Sequence, residues 1–237
     1  MSIAEKFEVI ADAVYEKGKK DEHDKFWDNF QDYGNRTEYY SAFIGKGWNN
    51  TNFRPKYDIK PIGNASSMFQ QTSIEDLTNL LKNCGIILDT SQATSLSQLF
   101  YFSNNLTNVP EIDTRGTTAG GNTLTTTFNN CPKLKTIEKL ILKDDGSQSF
   151  SNTFGVCPSL ENIVIEGKIG QNGFKVPSCT KLTKASILSI LKALSLNITE
   201  TKTITFSTEH QTIIETDADC KPYWQAAKNA GWSFVYA

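Results

Sequence analysis

The stretches TTFNNCPKLKTI, residues 126–137, and NTFGVCPSLENI, residues 152–163, repeat one pattern in the same register. Each contains Thr-Phe, two variable residues, Cys-Pro, one variable residue, Leu, two variable residues and Ile, and the copies start 26 residues apart. A short unit cannot bury its apolar side alone, so we expect successive units to stack and their inward side chains to form ladders. The repeat therefore predicts an architecture before it predicts any chemistry.

The repeat extends beyond these two stretches. Leucines that end comparable units are 28, 26 and 22 residues apart, and a weaker unit surrounds Phe69. A period in the twenties is typical of leucine-rich repeats, in which each unit makes one short strand. Phenylalanine, cysteine and leucine positions should then build the inner ladders, cysteine acting as a small apolar side chain. The predicted ladder residues are Phe100, Phe128, Phe154, Cys131, Cys157, Cys179, Leu106, Leu134, Leu160 and Leu182.

The C-terminal part, residues 183–237, has a different pattern. LTKASILSILKALS has apolar residues at helical spacing after Thr183, a suitable N-cap. TKTITF alternates as a strand, DADCKPYWQAAKNAG predicts a helix with Asp217 or Asp219 near its start and Gly231 at its end, and WSFVYA predicts a last strand. We therefore predict a C-terminal α/β cap built as helix, strand, helix, strand.

The N-terminal part, residues 1–35, is predicted to be helical. Ile3, Phe7, Ile10 and Val14 are spaced by 4, 3 and 4 residues, as in a coiled-coil seam. This helix could pack on the chain's own first unit, or it could join chains, and two heptads do not decide between these roles. Residues 37–62 alternate aromatic and turn residues and predict a hairpin cap.

These patterns divide the chain into three parts: an N-terminal helical segment for oligomerisation or capping, residues 1–35; a hairpin cap and leucine-rich repeat units, residues 36–182; and the C-terminal cap, residues 183–237. The predicted fold class is an α/β repeat, a leucine-rich-repeat solenoid with short strands, an N-terminal helix and hairpin cap, and a C-terminal α/β cap.

Composition narrows the classes of function. The 237 residues carry a net charge of -2, which gives no electrostatic footprint for nucleic acid. No stretch is apolar enough for a signal peptide or a membrane span. Five cysteines, an odd number without a Cys-x-x-Cys pair, and two histidines make a zinc site unexpected and predict reduced thiols. We expect neither a cofactor nor a metal.

Residues with catalytic potential are few. His23 lies in a charged helical run and His210 in a predicted loop, so neither has an evident nucleophile beside it. The pair Asp144 and Asp145 sits in a turn signature without the spacing of a calcium loop. Gly120-Gly121 lacks the lysine and hydroxyl residue of a phosphate loop. The sequence therefore predicts no catalytic residues.

Outward positions on the predicted strands are better candidates, because stacked units project such side chains side by side. Asparagine, threonine and glutamate at these positions suit hydrogen bonding to a protein or a glycan. The predicted binding face comprises Asn108, Glu111, Thr136, Glu138, Asn162, Val164 and Glu166.

The repeated Phe-x-x-Cys-x-x-Leu-x-x-Ile units are similar to the BspA-like leucine-rich repeats of bacterial surface proteins. KFWDNFQDYGNRTEYYSAFIGKGWNNTNFRPKYDI, TFGVCPSLENIVIEGKIGQN and LTKASILSILKALS together resemble phage and prophage proteins of gut Firmicutes. That resemblance implies a place in a phage tail, another virion structure or a surface appendage, and it implies no catalytic residue.

The expected function is a non-enzymatic interaction module that binds a protein or a cell-surface glycan through its strand face, on a virion or cell surface. The alternative is a structural spacer or decoration protein whose N-terminal helix, through Ile3, Phe7, Ile10 and Val14, mediates assembly with itself. A hydrolase would need a convergent catalytic pair that the sequence does not display. Without a phage association, we expect a cytoplasmic protein, since no signal peptide is evident.

Overall fold

A computed structural model gives the structure of residues 39–45, 47–118 and 123–237. Most elements are short and are separated by turns. In chain order they are β1 (Gly63–Asn64), α1 (Leu77–Cys84), β2 (Ala93–Ser95), β3 (Asn108–Asp113), β4 (Thr136–Ile141), β5 (Asn162–Glu166), β6 (Lys175–Val176), α2 (Lys184–Ala193), β7 (Lys202–Phe206), a 3₁₀ turn (Thr208–His210), α3 (Gln211–Thr216), α4 (Lys221–Ala230) and β8 (Trp232–Tyr236).

The strands form small parallel sheets, β1-β2, β3-β4-β5 and β6-β7-β8, in the described part of the chain. The predicted leucine-rich-repeat solenoid is wrong, because a solenoid of that kind would carry its strands in one continuous sheet. Helices interrupt the strands here: α1 packs beside β3, and α2 packs beside β5. The described residues thus form a mixed α/β fold.

The predicted hairpin over residues 37–62 is also wrong for the part that the structure describes. Asn49 forms a parallel bridge with Ser73, and Ile59 forms one with Leu88. The segment therefore pairs with residues that come later in the sequence, instead of folding back on itself. Alternation of aromatic and turn residues is common to both arrangements, so the sequence pattern did not distinguish them.

A stack of phenylalanines runs through the core. Neighbouring ring centroids are 5.2 to 5.6 Å apart and the planes are nearly parallel from Phe43 to Phe154, while the last ring is tilted. Each unit contributes one ring to the stack. Rings that touch therefore belong to residues that are far apart in sequence. The phenylalanine stack comprises Phe43, Phe69, Phe100, Phe128, Phe154 and Phe174.

Backbone hydrogen bonds hold the turns that carry these rings. The N–H groups of Leu96, Gln98 and Phe100 donate to carbonyls of the next unit, at Thr123, Thr125 and Thr127. Within the turn, the N–H of Leu99 donates to the carbonyl of Leu96, and Gln98 has a positive φ of 58°. Chain rich in serine, threonine and asparagine tolerates such turns, because these side chains can hydrogen-bond their own backbone. The polar residues of the repeats therefore stabilise the turns between the strands.

The C-terminal elements confirm the predicted helix, strand, helix and strand. Ser186 N–H donates to Thr183 Oγ1 at 3.3 Å, which makes Thr183 the N-cap of α2. Asp217 accepts the N–H groups of Asp219 and Cys220 directly before α4. Gly231, with φ 108°, ends α4 in the left-handed conformation that glycine adopts without strain. The 3₁₀ turn and α3 were not predicted.

Candidate functional site

The three-stranded sheet β3-β4-β5 buries one side and leaves the other open. Val109, Ile137 and Ile163 lie opposite one another and point into the core. Successive side chains of a strand point to opposite sides, so the residues next to these positions face outward. Glu111, two residues after Val109, is exposed because β3 departs from strict alternation there. All predicted binding residues lie on that open side, which we call the strand face: Asn108, Glu111, Thr136, Glu138, Asn162, Val164 and Glu166.

The first row of the strand face consists of hydrogen-bonding side chains. Asn108, Thr136 and Asn162 occupy matching positions on the three strands. Asn108 Nδ2 donates to Asp76 Oδ2 at 2.8 Å, and Asn162 Oδ1 accepts from Thr183 Oγ1 at 3.4 Å. Asp76 and Thr183 are the N-caps of α1 and α2, so the row continues into the start of a helix on each side.

The second row carries charge. Lys139 Nζ lies 3.1 Å from Glu111 Oε2 and 3.5 Å from Glu166 Oε2, bridging the outer strands. The hydrogen bond to Glu111, with smaller contributions from the charges of both carboxylates, raises the pKa of Lys139. Half or more of each glutamate side chain is exposed, so water screens these pairs and they stabilise the fold little. They do place both carboxylates beside the ammonium group of Lys139.

A bulge separates the two rows. Ile137 pairs with Ile163 and Leu140 with Ile165, so Glu138 and Lys139 of β4 lie opposite one residue of β5, Val164. Val164 is 51% exposed, and Glu138 is exposed and makes no ion pair with any described residue. An exposed valine beside an unpaired carboxylate gives the middle of the strand face both apolar and anionic character.

Helix α2 protects the outer edge of this sheet. Ser186 Oγ accepts the N–H of Ile163 at 3.0 Å, and Ser189 Oγ accepts the N–H of Ile165 at 2.8 Å. An unpaired edge strand would otherwise offer these groups to another chain. Binding by strand addition at β5 is thereby blocked, and the open side of the sheet is left for contact.

A groove of about 600 Å³ adjoins the strand face between α1, the segment 85–90 and β3. Its apolar lining includes Leu81, Ile87 and Pro110, and Ile87 is 54% exposed. Glu111 and Glu138 belong to both the groove and the strand face. Sequence reasoning missed the groove because it missed α1, although Asp76 as N-cap, the leucines after it and Gly85 as C-cap signal that helix.

Most carboxylates of the groove are held by neighbours. Asp113 pairs with Arg115 at 2.6 Å. Asp89 accepts the backbone N–H of Ser91, and hydrogen bonds from the Ser91 side chain and backbone lower the pKa of Asp89. Asp89 is thus ionised at neutral pH, and it makes no ion pair within the described residues.

The predicted ladder residues all lie in the core, and the cysteines are free thiols. Cys131 Sγ donates to the carbonyl of Phe100 at 3.0 Å, and Cys157 Sγ donates to that of Phe128 at 2.9 Å. Burial raises the pKa of the Cys131 and Cys179 thiols to about 12, and it raises the pKa of Cys157 as well. These thiols are therefore unreactive at neutral pH.

Among the described residues with catalytic potential, Asp145 and His210 lie in separate turns of the chain. Asp145 accepts the N–H of Ser147, which confirms the predicted turn, and this interaction lowers the pKa of Asp145. His210 is buried in a 3₁₀ turn, not in a loop as predicted. Within residues 39–45, 47–118 and 123–237, no three His, Cys, Asp or Glu side chains meet as metal ligands.

Several predicted features lie outside the described residues: His23, the pair Gly120-Gly121 and the assembly seam Ile3, Phe7, Ile10 and Val14. Their roles stay predictions. Among the helices that the structure describes, none is both long enough and apolar enough to cross a membrane.

Comparisons with protein-family models, with curated proteins and with solved structures find no match to this chain. The function therefore has to be inferred from the geometry of the strand face and its groove.

Proposed function

We propose that this chain is a non-enzymatic binding module that contacts a protein or a glycan through the strand face. The observation that carries the proposal is the alignment of exposed and half-buried side chains from three distant segments on one side of β3-β4-β5. Neighbouring strands lie about 4.8 Å apart, so the row of Asn108, Thr136 and Asn162 presents amide and hydroxyl groups at a regular spacing. Such a row can donate to and accept from a partner at several points at once.

The surroundings of the strand face support this role. Helix α2 closes one edge of the sheet, and α1 with its groove flanks the other. A ligand on the strand face would meet oriented carboxylates at Glu111 and Glu166 and an apolar contact at Val164. Interfaces commonly combine such an apolar centre with a polar rim. The resemblance to phage proteins adds a proposed setting, a virion or another surface assembly.

Two valines make a matched test of the strand face. Val164 is exposed on β5, and Val156 is 44% exposed in the turn that precedes Cys157, outside the strand face. The native chain, Val164→Arg and Val156→Arg would be screened against a glycan array and a displayed random-heptapeptide library. We expect the native chain and Val156→Arg to bind the same ligands and Val164→Arg to bind them at least about tenfold more weakly.

Two results would overturn the proposal. One is a ligand whose affinity changes equally in both valine variants, which would place its binding elsewhere. The other is the absence of any ligand in both screens while all three chains keep the same thermal unfolding midpoint.

A further inference from the structure

We infer that the groove beside the strand face binds a basic, aliphatic segment of a partner protein; this rests on the proposed function and specifies the partner. The groove volume of about 600 Å³ falls within the usual range of ligand pockets. It is also continuous with the strand face, because Glu111 and Glu138 line both. A protein lying across β3 and β4 would therefore reach it without rearrangement.

The floor of the groove is aliphatic. Leu81, Ile86, Leu88 and Pro110 contribute to it, and Ile87 stands 54% exposed at its border. Covering such surface is favourable by about 25 cal/mol per Å² of apolar area. Leucine, isoleucine or valine side chains of a peptide would fill this floor and cover Ile87. A glycan, which offers mainly hydroxyl groups, would leave this surface poorly matched.

The rim of the groove is anionic. Its lining holds the carboxylates Asp89, Glu111, Asp113 and Glu138 and a single cation, Lys82 on α1. Two of these carboxylates already have cationic partners, in Lys139 and Arg115. Glu138 has none among the described residues, and Asp89 makes no ion pair there, although the charge of Lys60 acts on it, so each can take a lysine or arginine from a partner. The charges thus complement a basic segment and repel an acidic one.

Charge and shape can be changed separately at two exposed positions. Ile87→Ser removes the aliphatic border and Glu138→Lys reverses the unpaired charge. Each has a matched control outside the groove lining: Leu196→Ser, at a residue 56% exposed, and Glu75→Lys, at an exposed glutamate. All four sites are on the surface, so the variants should fold, and their thermal unfolding would be compared with that of the native chain.

The experiment selects heptapeptides from a random display library on the native full chain and measures the synthesised peptides by fluorescence polarisation. We expect the selected peptides to combine lysine or arginine with leucine, isoleucine or valine. Their dissociation constants should rise about tenfold or more with Ile87→Ser or Glu138→Lys, stay within about twofold with either control, and rise with ionic strength.

The outcomes separate this inference from the function on which it rests. If basic aliphatic peptides are not selected, or if they bind the groove variants as well as the controls, the groove inference is wrong. The proposed function survives that result if another peptide or a glycan loses affinity in Val164→Arg. If no ligand depends on the groove or on Val164, both are wrong.

Discussion

At the scale of single residues, the cysteines differ in their access to solvent. Cys84 is partly exposed at the end of α1, whereas Cys131, Cys157, Cys179 and Cys220 are buried. The thiolate is the reactive form, and burial holds the pKa of Cys131 and Cys179 near 12. We expect iodoacetamide at neutral pH to alkylate Cys84 well before the buried thiols, as measured by mass spectrometry of peptides from briefly treated native protein.

The control is the same labelling in urea, where all cysteines should react at similar rates. Early modification of Cys131 or Cys157 in the native protein would contradict the prediction, because it would show that the core beside the phenylalanine stack opens on the labelling timescale.

His210 should make stability depend on pH. Its ring packs edge-on against Phe206, and neither ring nitrogen has a hydrogen-bond partner among the described residues. Burial lowers the pKa of His210, while the nearby Thr180 backbone and the Glu209 carboxylate oppose this more weakly. The unfolded chain therefore takes up this proton first as pH falls. The His210 contribution to the free energy of unfolding should be fully present above pH about 6.5 and be lost progressively below it.

The measurement is urea unfolding of the native chain and His210→Phe between pH about 7.5 and 5.5. His23 and the carboxylates remain in both proteins, so the difference between them isolates His210. The native chain should lose more stability on acidification than the variant does. Equal losses would show that His210 keeps its ordinary pKa in the folded protein.

At the scale of elements, Ser186 supplies the more buried of the two α2 hydroxyls that accept N–H groups of β5. Ser186 Oγ donates to the carbonyl of Glu161 at 2.8 Å and accepts the N–H of Ile163 at 3.0 Å. Ser186→Ala would leave the N–H of Ile163 without a partner in a buried place, whereas the Glu161 carbonyl would keep its hydrogen bond from the N–H of Thr183 at 2.9 Å. We expect the free energy of unfolding to fall by about 1–3 kcal/mol, measured by urea denaturation.

Ser195→Ala is the matched control, because the Ser195 hydroxyl accepts one long hydrogen bond of 3.3 Å from Asn197 in an exposed turn. It should change stability by less than about 0.5 kcal/mol. An equal effect of the two substitutions would mean that α2 does not need Ser186 to close the sheet edge.

The elements also show which parts of the structure were predictable. The start of α2 at Thr183 and the end of α4 at Gly231 follow from local capping chemistry, so the sequence was enough to predict them. The outward positions of β5 follow from strict alternation, whereas Glu111 of β3 and the bulge of β4 depart from it. Helix α1 was missed because its eight residues follow the weak repeat unit around Phe69 and no element was predicted for them.

Neither the groove nor the breaks between the three sheets could be predicted from local capping or alternation. The groove and the break before β3 depend on where α1 lies against β3, a contact between segments about thirty residues apart that no local pattern encodes. Repetition predicted that units would stack, as the phenylalanines do, but it did not predict which units would be strands and which helices.

At the scale of the whole molecule, the phenylalanine stack links units from Phe43 to Phe174, and the buried apolar residues form one cluster that reaches Trp232. Phe128 lies in the middle, with its ring centroid 5.6 Å from that of Phe100 and 5.5 Å from that of Phe154. Phe128→Ala would open a cavity against both neighbours. We expect a loss of about 3–5 kcal/mol in the free energy of unfolding.

Because the stack is shared, this loss should extend beyond the unit that contains Phe128. Hydrogen exchange measured by mass spectrometry should show reduced protection in both β1-β2 and β7-β8, which lie on opposite sides of the substitution along the chain. Phe102→Ala is the control, since the Phe102 ring is 40% exposed and lies outside the stack, and it should change protection little. If Phe128→Ala reduced protection in β3-β4-β5 alone, the units would be unfolding independently, and the stack would not make them one cooperative body.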